Sequence, residues 1–234
     1  MRGWSKDGRQ VLLIDADDTL WETNRRFQRT FKAYFDIVSR LGLTAEEVRR
    51  RVNEAEHERI RRQGYGESKY IETLEETYRA LAGARAQAAD IEAIRGLSQL
   101  LFGNPLRIFE GVRETLSYLA ERHRLLLFTK GDLEEQGRKV AGTDLGEFFE
   151  SREIVPEKNS EAYQALVARH NLSPDAVWMV GDSPRSDINP ALAAGLNAVF
   201  IPAEHPWEYE HEEIRPGRGR LLVLKRFAEL REHF

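Results

Sequence analysis

Cysteine is absent from the 234-residue sequence. That excludes disulfides, thiol nucleophiles and cysteine-ligated metals, and it fits a cytoplasmic enzyme. A basic excess is missing as well. The formal net charge is −4, so no global positive field points to nucleic acid. No apolar run approaches the roughly 18 residues needed to span a bilayer, and residues 1–10 lack the apolar centre of a secretion signal. Internal repeats and low-complexity tracts are also lacking. What is there is 41% hydrophobic and 32% charged, the balance of a globular protein. The length suits one large domain or a core with a smaller insert.

The most informative stretch is residues 11–20, Val-Leu-Leu-Ile-Asp-Ala-Asp-Asp-Thr-Leu. Four apolar residues run into three acids. Such a run suits a strand buried on both faces of a parallel sheet, with its acids at the carboxyl end where open α/β sheets place ligands. Crowded carboxylates need protons or a cation beside them, and acids converging at one end of a sheet suit a hard divalent cation such as magnesium. A solvated acidic turn is the plainer alternative.

After Leu20 the strand signal stops until about residue 104. Phe27, Phe31, Tyr34, Val38 and Leu41 recur at helical spacing, with Asn24 as a possible cap and Gly42 as the stop. Thr44-Ala-Glu-Glu47 has the form of a capping box and opens a second helix. Further helices are expected over 68–81 and, as a single piece, over 89–102. From Gly103 strands and helices alternate, with strands expected at 124–129, 153–155, 176–181, 198–201 and 221–224. This alternation implies parallel strands with right-handed crossovers. The predicted fold is an α/β Rossmann-like parallel sheet, made from residues 1–20 and 105–234, with an all-helical cap inserted at 21–104.

Four pieces in this order resemble the haloacid dehalogenase-like hydrolase superfamily. Asp15-Ala-Asp17-Asp18-Thr19 resembles its first motif, with Asp18 where many members have Gly. Leu125-Leu-Leu-Phe128-Thr129 resembles the second, although a terminal threonine also suits a self-closing turn. Lys158 occupies the place of the third-motif lysine, with Lys139 as the fallback, and Gly181-Asp182 with Asp187 resembles the fourth. Asp187 also suits a helix cap.

The resemblance implies a magnesium-dependent phosphatase acting through an aspartyl-phosphate. Asp15 would be the nucleophile and Asp17 the general acid/base. Thr129, Lys130 and Lys158 would bind the phosphoryl group. Asp15, the backbone carbonyl of Asp17, Asp182 and Asp187 would hold the metal, with Asp187 alternatively holding Lys158. Dehalogenase members lack an acid two residues after the nucleophile, so Asp17 argues against that activity. A phosphomutase or phosphotransferase using the same intermediate is the nearest alternative, and a non-catalytic binding module the next. The expected partner is a small phosphorylated metabolite, with neither nucleic acid nor membrane; the oligomeric state is open. Arg25, Arg26, Arg29, His57 and Tyr65 are cap candidates for substrate contact, although each suits a solvated face or the cap interior better. Residues 205–211 follow the fifth strand and either line the site or pack the return loop.

Overall fold

The computed structural model describes residues 9–103 and 105–234. Expectations that fall on residues 1–8 and on Asn104, the margins of the anticipated core and cap, lie outside the described residues. The chain divides into two compact units, one from the stretch ending at Glu22 together with Leu106–Phe234, the other Thr23–Pro105. No helix among the described residues is long and apolar enough to cross a membrane.

The first unit is a six-stranded parallel sheet. Its strands are β1 (Val11–Ile14), β2 (Arg124–Lys130), β3 (Ser151–Val155), β4 (Val177–Gly181), β5 (Asn197–Phe200) and β6 (Leu221–Val223). They lie in the order β3-β2-β1-β4-β5-β6, so β1 is central and the chain reverses direction across the sheet beside it. Burial on both faces explains the unbroken apolar runs. Leu12, Ile14, Leu125, Leu127, Trp178 and Val180 pack on one face. Val11, Leu13, Leu126, Phe128, Val177 and Met179 pack on the other. Helices α6 (Val112–Ala120), α7 (Leu133–Ala141), α8 (Ser160–Arg169) and α9 (Asn189–Ala193) supply the crossovers of this unit. Asp132 caps α7, its side chain accepting from the N–H groups of Glu134 and Glu135 at 3.1 and 3.0 Å.

The second unit is helical throughout: α1 (Asn24–Val38), α2 (Ala45–Gln63), α3 (Glu67–Ala82), α4 (Ala88–Gly96) and α5 (Ser98–Phe102). Phe31, Tyr34, Val48, Leu74, Tyr78, Ile94 and Leu101 form its own core. The capping box is present, with Thr44 accepting from the Glu47 N–H and the Glu47 side chain accepting from the Thr44 N–H. Two details depart from the sequence pattern. Asn24 is the first helical residue rather than the cap. The helix expected over 89–102 is two helices, separated at Gly96-Leu97, where glycine's low helix propensity lets the chain turn. Arg26, a candidate for substrate contact, donates to the carbonyls of Leu101 and Pro105 at 2.8 and 2.7 Å. In the first unit, the chain after β6 forms a 3-10 segment, Phe227–Glu232.

A prediction follows from the burial on both faces of β1. Leu13 is fully buried, so Leu13→Ala should cost about 2–5 kcal/mol of unfolding free energy. Leu133 is 71% exposed at the start of α7, and its replacement by Ala should stay within about 0.5 kcal/mol. Urea denaturation of both variants checks this; equal costs would contradict the packing described.

Candidate active site

Asp15 is the first residue beyond β1, and its N–H still donates to the Val180 carbonyl at 2.9 Å. The sheet ladder therefore fixes the backbone from which the carboxylate projects. Lys158, in the segment between β3 and α8, places Nζ 2.5 Å from Asp15 Oδ1 and 2.7 Å from Asp187 Oδ1. This ammonium is almost fully buried. Burial alone would weaken its charge, but Asp15 and Asp187 outweigh that and hold its pKa above the usual lysine range. Lys158 thus occupies the position that the sequence pattern assigns it, and the fallback residue Lys139 is engaged elsewhere.

Asp182 follows β4 directly, and Asp187 lies in a π-helical turn, Pro184–Ile188. Asp187 is not a helix cap: Ser183 caps this turn, its Oγ accepting from the Ser186 N–H at 2.9 Å. The Ser183 N–H donates to Asp187 Oδ2 at 3.0 Å. Gly181 makes this turn possible, since a Cβ there would stand 2.2 Å from Asp187 Oδ2. Carboxylate oxygens of Asp15, Asp182 and Asp187 come within 4.8 Å of one another. Burial is the main force pushing the Asp15 pKa up, to about 7; Lys158 opposes it and Asp187 adds to it. Asp182 is raised by burial and then by Asp15 and Asp187.

With all three carboxylates ionised, one lysine would leave two negative charges in a largely desolvated space. That deficit, together with an all-oxygen donor set, fits a hard divalent cation such as magnesium.

Asp17 directs its side chain to a different set of partners. Trp21 Nε1 donates to its Oδ1 at 2.8 Å, and Gln136 Nε2 donates to its Oδ2 at 2.7 Å. Lys139 Nζ lies 3.2 and 3.1 Å from the two oxygens. The carboxylate of Asp17 is therefore separate from the acidic cluster, and its expected metal contact concerned only its backbone carbonyl. Asp18 adopts φ 60°, the left-handed region. Asp tolerates it better than most residues, and Gly tolerates it best. Gln136 Oε1 is buried with no hydrogen-bond partner among the described residues. An unpaired buried acceptor costs about 1–3 kcal/mol, which folding alone gives no reason to keep.

Thr129 is buried one residue from the end of β2. Lys130 ends that strand and donates to Ser186 Oγ at 2.6 Å and to Glu210 Oε1. Glu210 also accepts from Ser183 Oγ at 2.5 Å and from Ser186 Oγ. Burial works against this carboxylate, but Lys130 and the two serines outweigh it and hold its pKa below the usual range. Glu210, Ser183 and Ser186 were not singled out by the motifs. The only signal for Glu210 was its place in the 205–211 stretch after β5.

The model of the haloacid dehalogenase-like hydrolases matches residues 10–195. The chain is 24% identical over 235 residues to a glyceraldehyde 3-phosphate phosphatase of Methanothermobacter thermautotrophicus, covering 95% of this chain and 98% of that one. Among solved structures, a haloacid dehalogenase-like family hydrolase from Xanthomonas campestris superposes with TM-score 0.83 at 26% identity, over 96% of this chain and 90% of that one. The L-2-haloacid dehalogenase of Xanthobacter autotrophicus shares the fold, with TM-score 0.62 at 14% identity over 96% and 97% of the two chains. A central β1 followed directly by Asp15, a buried lysine bridging that aspartate to Asp187, and a family match across most of the chain agree: this protein belongs to the haloacid dehalogenase-like hydrolase family.

Proposed function

We propose that the protein is a magnesium-dependent phosphatase that hydrolyses a small phosphomonoester through an aspartyl-phosphate on Asp15. The observation that carries this reading is the pairing of a cluster of three carboxylates around Lys158 with a further aspartate, Asp17, held apart from it by its own donors. The glyceraldehyde 3-phosphate phosphatase of M. thermautotrophicus supports it as a relative along nearly its whole length. The likeness to the X. autotrophicus dehalogenase supports the fold alone, and by the family pattern dehalogenases lack the acid that stands here at position 17.

Asp15, Asp182 and Asp187 would hold the cation, together with the backbone carbonyl of Asp17. When bound, the cation offsets the repulsion between the nucleophilic carboxylate and the phosphate dianion. Asp15 Oδ attacks phosphorus in line while the ester P–O bond breaks. Asp17 gives its proton to the departing oxygen. It then takes a proton from the water that attacks the aspartyl-phosphate, and the bond from phosphorus to Asp15 breaks. The Thr129 hydroxyl and the Lys158 ammonium donate to the non-bridging oxygens, where charge accumulates in the transition state.

Hydrolysis of p-nitrophenyl phosphate at neutral pH, with magnesium and with EDTA, tests the reading. Turnover should require magnesium and fall by about 10³-fold or more in Asp15→Asn. Near-normal turnover in Asp15→Asn would sink the assignment.

Stability against pH gives a second test. Folding raises Asp15 from 3.8 to about 7, so the folded state binds this proton more tightly than the unfolded one. In metal-free protein its stabilising contribution is full below about pH 4 and is lost as pH rises through about 7. The Tm of metal-free protein should therefore fall between pH 5 and 8, less steeply in Asp15→Asn. Magnesium should raise Tm more at pH 8 than at pH 6. Identical slopes for wild type and Asp15→Asn would contradict the burial argument.

A further inference from the structure

We infer that Lys139 and Gln136 on α7 are positioning residues for Asp17, so that each of the two working aspartates has its own lysine. The inference rests on the reading of Asp17 as the group that exchanges protons with the leaving oxygen and the attacking water.

Asp17 projects from a tight turn after β1, and its side chain is 26% exposed. The backbone alone does not fix where such a carboxylate points. Three donors do. Trp21 binds one oxygen, Gln136 binds the other, and Lys139 spans both. Each oxygen therefore accepts two hydrogen bonds, and the plane of the carboxylate is set.

The two α7 donors are themselves anchored. They lie three residues apart, on one face of the helix, and the Asp132 cap fixes where that helix begins. Gln136 Nε2 also donates to the Lys130 carbonyl at 3.2 Å, tying Asp17 to the end of β2. Gly131, at φ 135°, leaves room for that amide; a Cβ would stand 3.1 Å from it. The Lys139 side chain is 9% exposed and has Glu135 at 3.5 Å. A surface lysine paired for solubility needs none of this. Proton transfer has a heavy-atom reach of about 2.6–3.2 Å, so a carboxylate free to rotate loses the leaving oxygen.

The test compares kcat/KM for p-nitrophenyl phosphate and for an alkyl phosphate monoester. This parameter reports the steps through ester cleavage, and p-nitrophenolate leaves without needing a proton. In Lys139→Met the loss should be about tenfold greater for the alkyl ester. Gln136→Leu should shift the ratio in the same direction, and Lys139→Arg should restore part of it. Adding Lys139→Met to Asp17→Ala should cause no further loss. A crystal structure of Lys139→Met needs no turnover, and should show the Asp17 carboxylate turned away from its present place.

Equal losses on the two esters, full additivity with Asp17→Ala, or an unmoved Asp17 would each overturn the inference. Failure of the wild type to hydrolyse either ester would instead defeat the phosphatase reading, and the structure of Lys139→Met would still decide whether Lys139 positions Asp17.

Discussion

The ion pair of Lys158 with Asp15 and Asp187 is the interaction on which the rest of the site depends. It brings together residues from the loop after β3, the end of β1 and the turn after β4, with Lys158 lying 143 positions from Asp15 and 29 from Asp187. Buried ions unpaired by protein or metal would be strongly unfavourable. One ammonium against three carboxylates leaves the balance unfinished, and the remainder has the charge of a divalent cation. Burial first, and then the neighbouring carboxylates, raise Asp15 and Asp182 and make their protonation state depend on what binds.

The parallel sheet makes this arrangement possible. β1 lies between β2 and β4, so three strand ends open on one edge, and the topological reversal leaves a crevice there. Backbone geometry then distributes the tasks. Asp15 continues the ladder and is held rigidly. Asp17 lies two residues further along a turn that Asp18 completes in a left-handed conformation, so its carboxylate meets α7 rather than the acidic cluster. Gly181 lets Asp187 fold back against β4. In the proposed mechanism, this separation of the two aspartates by backbone conformation would let one carboxylate act as nucleophile while the other handles protons.

Much of this was legible in the sequence. Apolar runs of period-free burial marked β1, β2 and β4, and the acids at the ends of β1 and β4 marked the site. Thr44-Glu47 announced a helix start through local hydrogen-bonding chemistry, which needs no tertiary information. The break at Gly96-Leu97 was not legible, because the apolar spacing runs through it. Nor was the engagement of Lys139 with Asp17, since a mid-helix lysine carries no sign of its partner 122 positions away. Glu210 was the hardest: its burial against Lys130, Ser183 and Ser186 depends on the path of the return loop after β5, where sequence periodicity gives no guidance.

The account stands or falls on where the phosphoryl group goes. The most direct measurement is rapid acid quenching of wild-type protein mixed with magnesium and p-nitrophenyl phosphate, followed by peptide mass spectrometry. A phosphoryl adduct on Asp15, formed within one turnover and absent when magnesium is withheld, is the predicted result. Turnover with no adduct, or an adduct on another residue, would contradict the central claim.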